Sequence, residues 1–313
     1  MPRKVLVTGA TGFLGRAVVD QFDLAGWFVT GTGFSRASPP KTLKVDLTIA
    51  EDVEEVLDDV KPEVIVHCAA DRQPDSCSNN PSAAKAINVT ATSILTSLST
   101  RRSIFLIYLS TDYVFSGLPG EAPYSTTSTP SPTNVYGELK LEGEKVALST
   151  ASGNSANGSV IVLRVPVLYG KTEPIDNNKE SAVNVLLDAV YKAAENPSAN
   201  ISMDDWALRY PTNVEDVGRV CKDIAEKYTS VSVEERTSLP KILHFSSEDK
   251  FTKYEICELL AEILGVSLDG MKANKEGNDP NSKAQRPYDA HLGTEELKSL
   301  GISVHTMDFK GWW

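Results

Sequence analysis

Tyr136 and Lys140 stand four residues apart in Y-G-E-L-K, on a stretch that reads as helix, so both side chains share one face. An ammonium beside a phenol stabilises the phenolate and lowers the phenol pKa toward working pH. Such a tyrosine gives a proton to a carbonyl while a hydride donor reduces it. By itself the pair is equally a solvated helix face. What gives it weight is Thr111, in L-S-T-D-Y-V-F (109–115) at the end of a predicted strand upstream. A hydroxyl there can hydrogen-bond a carbonyl at the edge where open α/β sheets bind ligands.

A second set opens the chain. Gly9, Gly12 and Gly15 lie in V-T-G-A-T-G-F-L-G (7–15), directly after a short apolar run. Gly9 permits a tight turn out of a strand, Gly12 lets backbone N–H groups approach a pyrophosphate, and Gly15 permits close helix–strand packing. In that context the spacing reads as a dinucleotide turn. An acid that would bind the ribose 2′-hydroxyl of NAD is missing from the end of the second strand, where Gly33 is followed by Phe34, Ser35 and Arg36. A guanidinium fork suits a 2′-phosphate, which favours NADP(H). The plainer alternative for Arg36 is a surface arginine on a loop.

These residues need a scaffold, and the chain supplies an alternating one. Strands are expected over 4–8, 28–33, 42–45, 63–67, 104–109 and 160–165, and helices over 12–25, 49–60, 81–99 and 134–149. Alternation of this kind predicts an α/β fold, a Rossmann doubly wound parallel sheet. Beyond Pro166 the pattern loosens: a helix over 182–194, an irregular stretch over 196–212, a strand-and-helix unit over 213–228, a strand over 242–246 and a helix over 253–264. Residues 153–159 read as a surface connection and 273–287 as a long loop. The expected division is a nucleotide-binding domain of 1–165 plus about 213–241, and a smaller C-terminal α/β substrate or partner domain of 166–212 plus about 242–313.

Bulk properties narrow the function. A net charge of -11 argues against nucleic acid or an anionic membrane as the main partner, and no apolar stretch is long enough to span a bilayer. Cys68, Cys77, Cys221 and Cys257 are scattered, and His67, His244, His291 and His305 lack metal-type spacing, so no metal site and no disulfide framework is expected. The apolar run after Lys4 is too short for a secretion signal. Asn88, Asn157 and Asn200 match the glycosylation pattern by chance on that reading. The expected location is the cytoplasm, with the nucleus also open. Trp206, Arg209 and Arg286 are candidates for a substrate or partner rim, or for loop anchors; Trp312 and Trp313 either dock a partner or pack onto the body.

The glycine turn, S-T-D-Y-V-F (110–115), N-V-Y-G-E-L-K-L-E-G-E-K (134–145) and R-V-P-V-L-Y-G (164–170) together resemble the extended short-chain dehydrogenases/reductases, in their dTDP-4-dehydrorhamnose reductase-like branch. The resemblance runs from about residue 3 to about residue 301. It implies Thr111, Tyr136 and Lys140 as the catalytic set. It also implies cofactor contacts at Thr11, Gly12, Phe13 and Leu14; at Phe34, Ser35 and Arg36; at Asp46 and Leu47; at Cys68, Ala69, Ala70 and Arg72; and at Asn88 and Leu168. Within the branch, G-T-G-F-S-R-A (31–37), V-H-C-A-A-D-R-Q-P-D (66–75), M-D-D-W-A-L-R-Y-P-T-N-V-E-D-V (203–217) and A-Q-R-P-Y-D-A-H-L (284–292) are similar to the group of regulatory beta subunits of methionine adenosyltransferase. That group implies bound NADP, a methionine adenosyltransferase catalytic subunit as partner and a role in S-adenosylmethionine biosynthesis. The reductase branch implies instead an NADPH-dependent oxidoreductase acting on a nucleotide-linked 4-keto sugar.

Overall fold

The computed structural model describes residues 2–152, 160–173, 177–279, 281–282 and 284–313; the connection expected over 153–159 lies outside them. β1 (Lys4–Thr8), α1 (Phe13–Leu24), β2 (Phe28–Gly33), β3 (Thr42–Lys44), α2 (Ala50–Val60) and β4 (Val64–His67) follow one another as the alternation predicts. Next come α3 (Pro74–Asn79), α4 (Pro81–Lys85), a π-helical turn (Ala86–Thr90), α5 (Ala91–Arg101), β5 (Phe105–Thr111), α6 (Val135–Ser152) and β6 (Val160–Val165). The second half holds β7 (Leu168–Tyr169), α7 (Leu186–Glu195), β8 (Ile201–Asp204), β9 (Thr212–Asn213), α8 (Val214–Thr229), α9 (Val233–Ser238) and β10 (Ile242–His244). It ends with α10 (Lys253–Leu264), β11 (Met271–Asn274), α11 (Glu295–Ser299) and α12 (Phe309–Trp312).

Seven strands form one parallel sheet in the order β10-β6-β5-β4-β1-β2-β3, the doubly wound Rossmann plan. Successive strand residues point to opposite faces, and each face is apolar because each is covered. On one face Val5, Val7, Val64, Val66, Ile107 and Leu163 pack against Val18 and Phe22 of α1 and Val217, Val220 and Ile224 of α8. On the other, Leu6, Ile65, Leu106 and Val162 pack against Val53 and Leu57 of α2, Leu95 of α5 and Ala147 of α6. A second core joins α7, α10 and α12 through Leu186, Val190, Ile256, Leu260 and Phe309, beside the small parallel β8–β11 sheet. Trp312 and Trp313 pack into it, with ring centroids 5.2 and 6.4 Å from Tyr169, so the terminal tryptophans fold down onto the body.

Four expectations need correction. β10 belongs to the large sheet, paired with β6, although the expected boundary placed it in the smaller domain. The stretch 196–212, read as irregular, contains β8, and the first residues of the expected 273–287 loop complete β11. These strands are only four residues long and pair across some seventy positions, so no local alternation marks them. The single helix expected over 81–99 is α4, the π turn and α5 in sequence. α3 had no apolar period to announce it, because Cys77 alone is buried there.

Candidate functional site

The C-terminal ends of the central strands open into a cleft of about 710 Å³. Its floor is the glycine turn. Gly9 has φ +68°, and a Cβ there would sit 2.8 Å from the Ala69 backbone; a Cβ on Gly15 would lie 2.1 Å from the Gly9 carbonyl oxygen. Chain crossing and helix packing therefore both demand glycine. Gly12 is the N-cap of α1 and gives it no side-chain cap, and the first turn carries no acid. Its N–H groups and positive dipole end face the cleft, which fits a pyrophosphate.

Thr11, Gly12, Phe13 and Leu14 line this end, with Phe34 and Arg36 from the end of β2, Asp46 and Leu47 after β3, and Cys68, Ala69, Ala70 and Arg72 after β4. Leu168 closes the far side. Ser35 is exposed and lies outside the lining. Asn88 also lies outside it, one layer behind. From the π turn its Oδ1 accepts from the Asp71 N–H and its Nδ2 donates to the Asp71 carbonyl, both at 2.9 Å. Asn88 thus fixes the loop that carries Ala70 and Arg72. His67 sits between Thr8 and Thr92 at 2.7 and 3.1 Å, and burial lowers its pKa to about 3, so it is a neutral, packed imidazole.

Thr111, Tyr136 and Lys140 meet at the inner end of the cleft. Thr111 Oγ1 donates to Asp112 Oδ1 at 2.9 Å and accepts from the Tyr113 N–H at 3.2 Å. Thr111 also lies near the Tyr136 phenol and favours its ionised form, against the burial that raises it. Burial pushes the Asp112 carboxyl up to about 6, against the Thr111 hydrogen bond and the field of Arg209. Lys140 is buried, with Nζ 4.0 Å from the centre of the Tyr108 ring. Burial lowers its pKa to about 7, and the field of Glu144, four residues on, opposes that. Here the structure departs from the simple reading of the pair. The Tyr136 phenol is shifted upward by burial, and the lysine faces the Tyr108 ring.

Behind this group lies a buried ion pair. Arg164 donates to both Glu144 oxygens, at 2.9 and 2.6 Å, and Ser110 donates to Glu144 at 2.5 Å. It anchors α6, and with it Tyr136 and Lys140, against β5 and β6.

Trp206, Arg209 and Arg286 are not part of the lining. Trp206 packs on Tyr288 with centroids 5.0 Å apart. Arg209 is buried and donates to the Leu208 and Pro287 carbonyls, and Arg286 donates to the Ala284 carbonyl and to Asp75. Together they tie 204–209 to 284–288 and to α3. Two acids in the lining were not singled out by sequence reasoning, Asp112 and Glu180. Asp112 stands inside a quoted motif, but its burial shows only in three dimensions. Glu180 carries no local signal, because its arginine partners are 144 and 164 positions away.

This is a Rossmann-type fold whose strand ends carry a dinucleotide turn and a Thr–Tyr–Lys group. The chain matches the family model of the RmlD substrate binding domain over residues 3–309, and it belongs to that family. Among its relatives, it is 41% identical to methionine adenosyltransferase 2 subunit beta of Rattus norvegicus, over 97% of this chain and 84% of that protein. It is 35% identical to a probable low-salt glycan biosynthesis reductase of Haloferax volcanii, over 52% of this chain and 53% of that one. The dTDP-4-dehydrorhamnose reductase of Bacillus anthracis, solved in complex with NADP, superposes with a TM-score of 0.79 at 21% identity, covering 100% of this chain and 97% of that chain.

Proposed function

We propose that this chain is an NADP(H)-binding regulatory subunit of methionine adenosyltransferase, which modulates S-adenosylmethionine synthesis in the cytoplasm by pairing with the catalytic subunit. The observation that carries this reading is the extent of likeness: 41% identity along 97% of the chain to a beta subunit, against a match to the archaeal reductase confined to 52%. In this role the dinucleotide holds the two lobes in one arrangement. The glycine turn and α1 take the pyrophosphate, and Arg36 takes the 2′-phosphate. The test is affinity purification of the tagged chain from its own cells, with partner and bound nucleotide identified. Recovery of the catalytic subunit and NADP(H) is the expected result; recovery of the chain without that subunit counts against the role.

A second reading is favoured by the meeting of Thr111, Tyr136 and Lys140 at the inner end of the cleft. The resemblance that implies NADPH also implies a nucleotide-linked 4-keto sugar as substrate. The nicotinamide would supply hydride. Tyr136 would pass its phenolic proton to the carbonyl oxygen, Thr111 would orient both groups, and Lys140 would hold the ribose and offset the phenolate charge. NADPH oxidation dependent on a keto sugar, falling on the order of 10²-fold or more in Tyr136→Phe, is the signature of this activity. No turnover across a panel of nucleotide-linked keto sugars removes it.

A further inference from the structure

Arg36 does not extend freely into solvent. Its guanidinium folds back over the glycine turn, with one nitrogen 4.0 Å from the place a Cβ on Gly12 would occupy. There Nη1 donates to Glu180 Oε1 at 2.8 Å. Glu180 ends a short 3-10 turn (Asn178–Glu180) that leads from β7 toward α7, and it lines the cleft opposite Arg36. Its side chain is 8% exposed, whereas that of Arg36 is 56% exposed. The same carboxylate takes both Nη groups of Arg16 on α1, at 3.3 and 2.5 Å, and the Glu173 N–H at 3.3 Å. Burial raises the Glu180 carboxyl, but the two arginines outweigh it and hold it below its ordinary range, so it is an anion at neutral pH.

Resting on the reading of Arg36 as the 2′-phosphate ligand, we propose that Glu180 is a specificity-determining residue: a built-in anion that competes with the adenosine 2′-phosphate for Arg36. The chemistry of the two occupants is the same, since a carboxylate and a phosphate each accept from a guanidinium fork. The two arginines differ in what they can give up. Arg16 is largely buried, bidentate to Glu180, and also donates to the Thr11 carbonyl at 3.0 Å. It keeps Glu180 in place. Arg36 is half exposed and holds Glu180 through one nitrogen, so it is the arginine of the two that can exchange onto a phosphate. A dinucleotide without the 2′-phosphate has nothing to exchange and leaves the Arg36–Glu180 pair intact. Apparent affinity for NADP(H) is then reduced by the fraction of molecules in which Glu180 holds Arg36, and affinity for NAD(H) is not. The exchange releases the Glu180 segment from Arg36 alone, while Arg16 still holds it on α1.

The experiment is calorimetric titration of NADP+, NAD+ and 2′,5′-ADP into the full chain and into Glu180→Gln, which keeps the shape and removes the charge. Glu180→Ala is a second variant, and melting curves confirm that each is folded. Tightening of NADP+ and 2′,5′-ADP by on the order of tenfold in Glu180→Gln, with NAD+ changed less than about twofold, is expected. Equal or weaker NADP+ binding in both variants, with the native chain still binding NADP+, overturns the competition and leaves the cofactor reading standing. Absence of nucleotide binding in all three proteins overturns the cofactor reading, and the competition with it.

Discussion

Asp112 is the residue at which burial and charge conflict most directly. Its folded-state pKa of about 6 lies above the ordinary value of 3.8. Between pH about 4 and about 6 the folded protein keeps a proton that the unfolded chain has lost, so stability falls as pH rises through that window and stays lower above it. Asp112→Asn removes the penalty. The variant is expected to gain roughly 1–3 kcal/mol over the native chain at pH 7–8, and the gain should shrink to nothing near pH 4, as read by urea unfolding at each pH. A pH-independent difference would contradict it. The place of Thr111 at the end of its strand was legible in the sequence, but its hydrogen bond to Asp112 was not. Arg36 was legible as a cleft residue from its place after β2. Its pairing with Glu180 was not, because ion pairs between distant segments leave no trace in local spacing.

Among the elements, those with strong local rules were the most readable. α10 begins at Lys253 because Thr252 and Glu255 form a reciprocal capping box, and it ends at Gly265 with φ +66°. β1 and α1 were fixed by the glycine turn between them. At that junction, Gly15→Ala places a methyl against the Gly9 carbonyl, and a loss of roughly 2 kcal/mol or more is expected by thermal unfolding. Full stability in this variant would show that α1 can move off β1. The anchoring of α6 is a tertiary matter. Arg164 and Glu144 are each 2% exposed, so removing one partner strands a buried charge. Arg164→Met alone is expected to cost about 3–5 kcal/mol, and adding Glu144→Leu should restore much of it, as read by urea midpoints. Equal losses in the single and double variants would mean that the pair does not act as a unit. The π turn, β8 and β11 stayed illegible because helix widening and short-strand pairing follow from contacts made far along the chain.

For the whole molecule, the charge of -11 and the parallel sheet with both faces covered leave the strand-end cleft as the place for chemistry. Among the described residues no helix is long and apolar enough to cross a membrane. The parallel doubly wound sheet was readable from strand–helix alternation, but the seam between the two cores was not. β10 joins the large sheet, whereas the chain that follows it builds the second core around Tyr169, Phe309, Trp312 and Trp313. The regulatory reading makes its strongest claim at this scale, because it requires a second protein. Purified chain and purified catalytic subunit should be mixed with NADP+, sedimented, and assayed for S-adenosylmethionine synthesis. Co-sedimentation at a fixed ratio with altered kinetics of the catalytic subunit is predicted. Separate boundaries with unchanged kinetics would contradict the regulatory role.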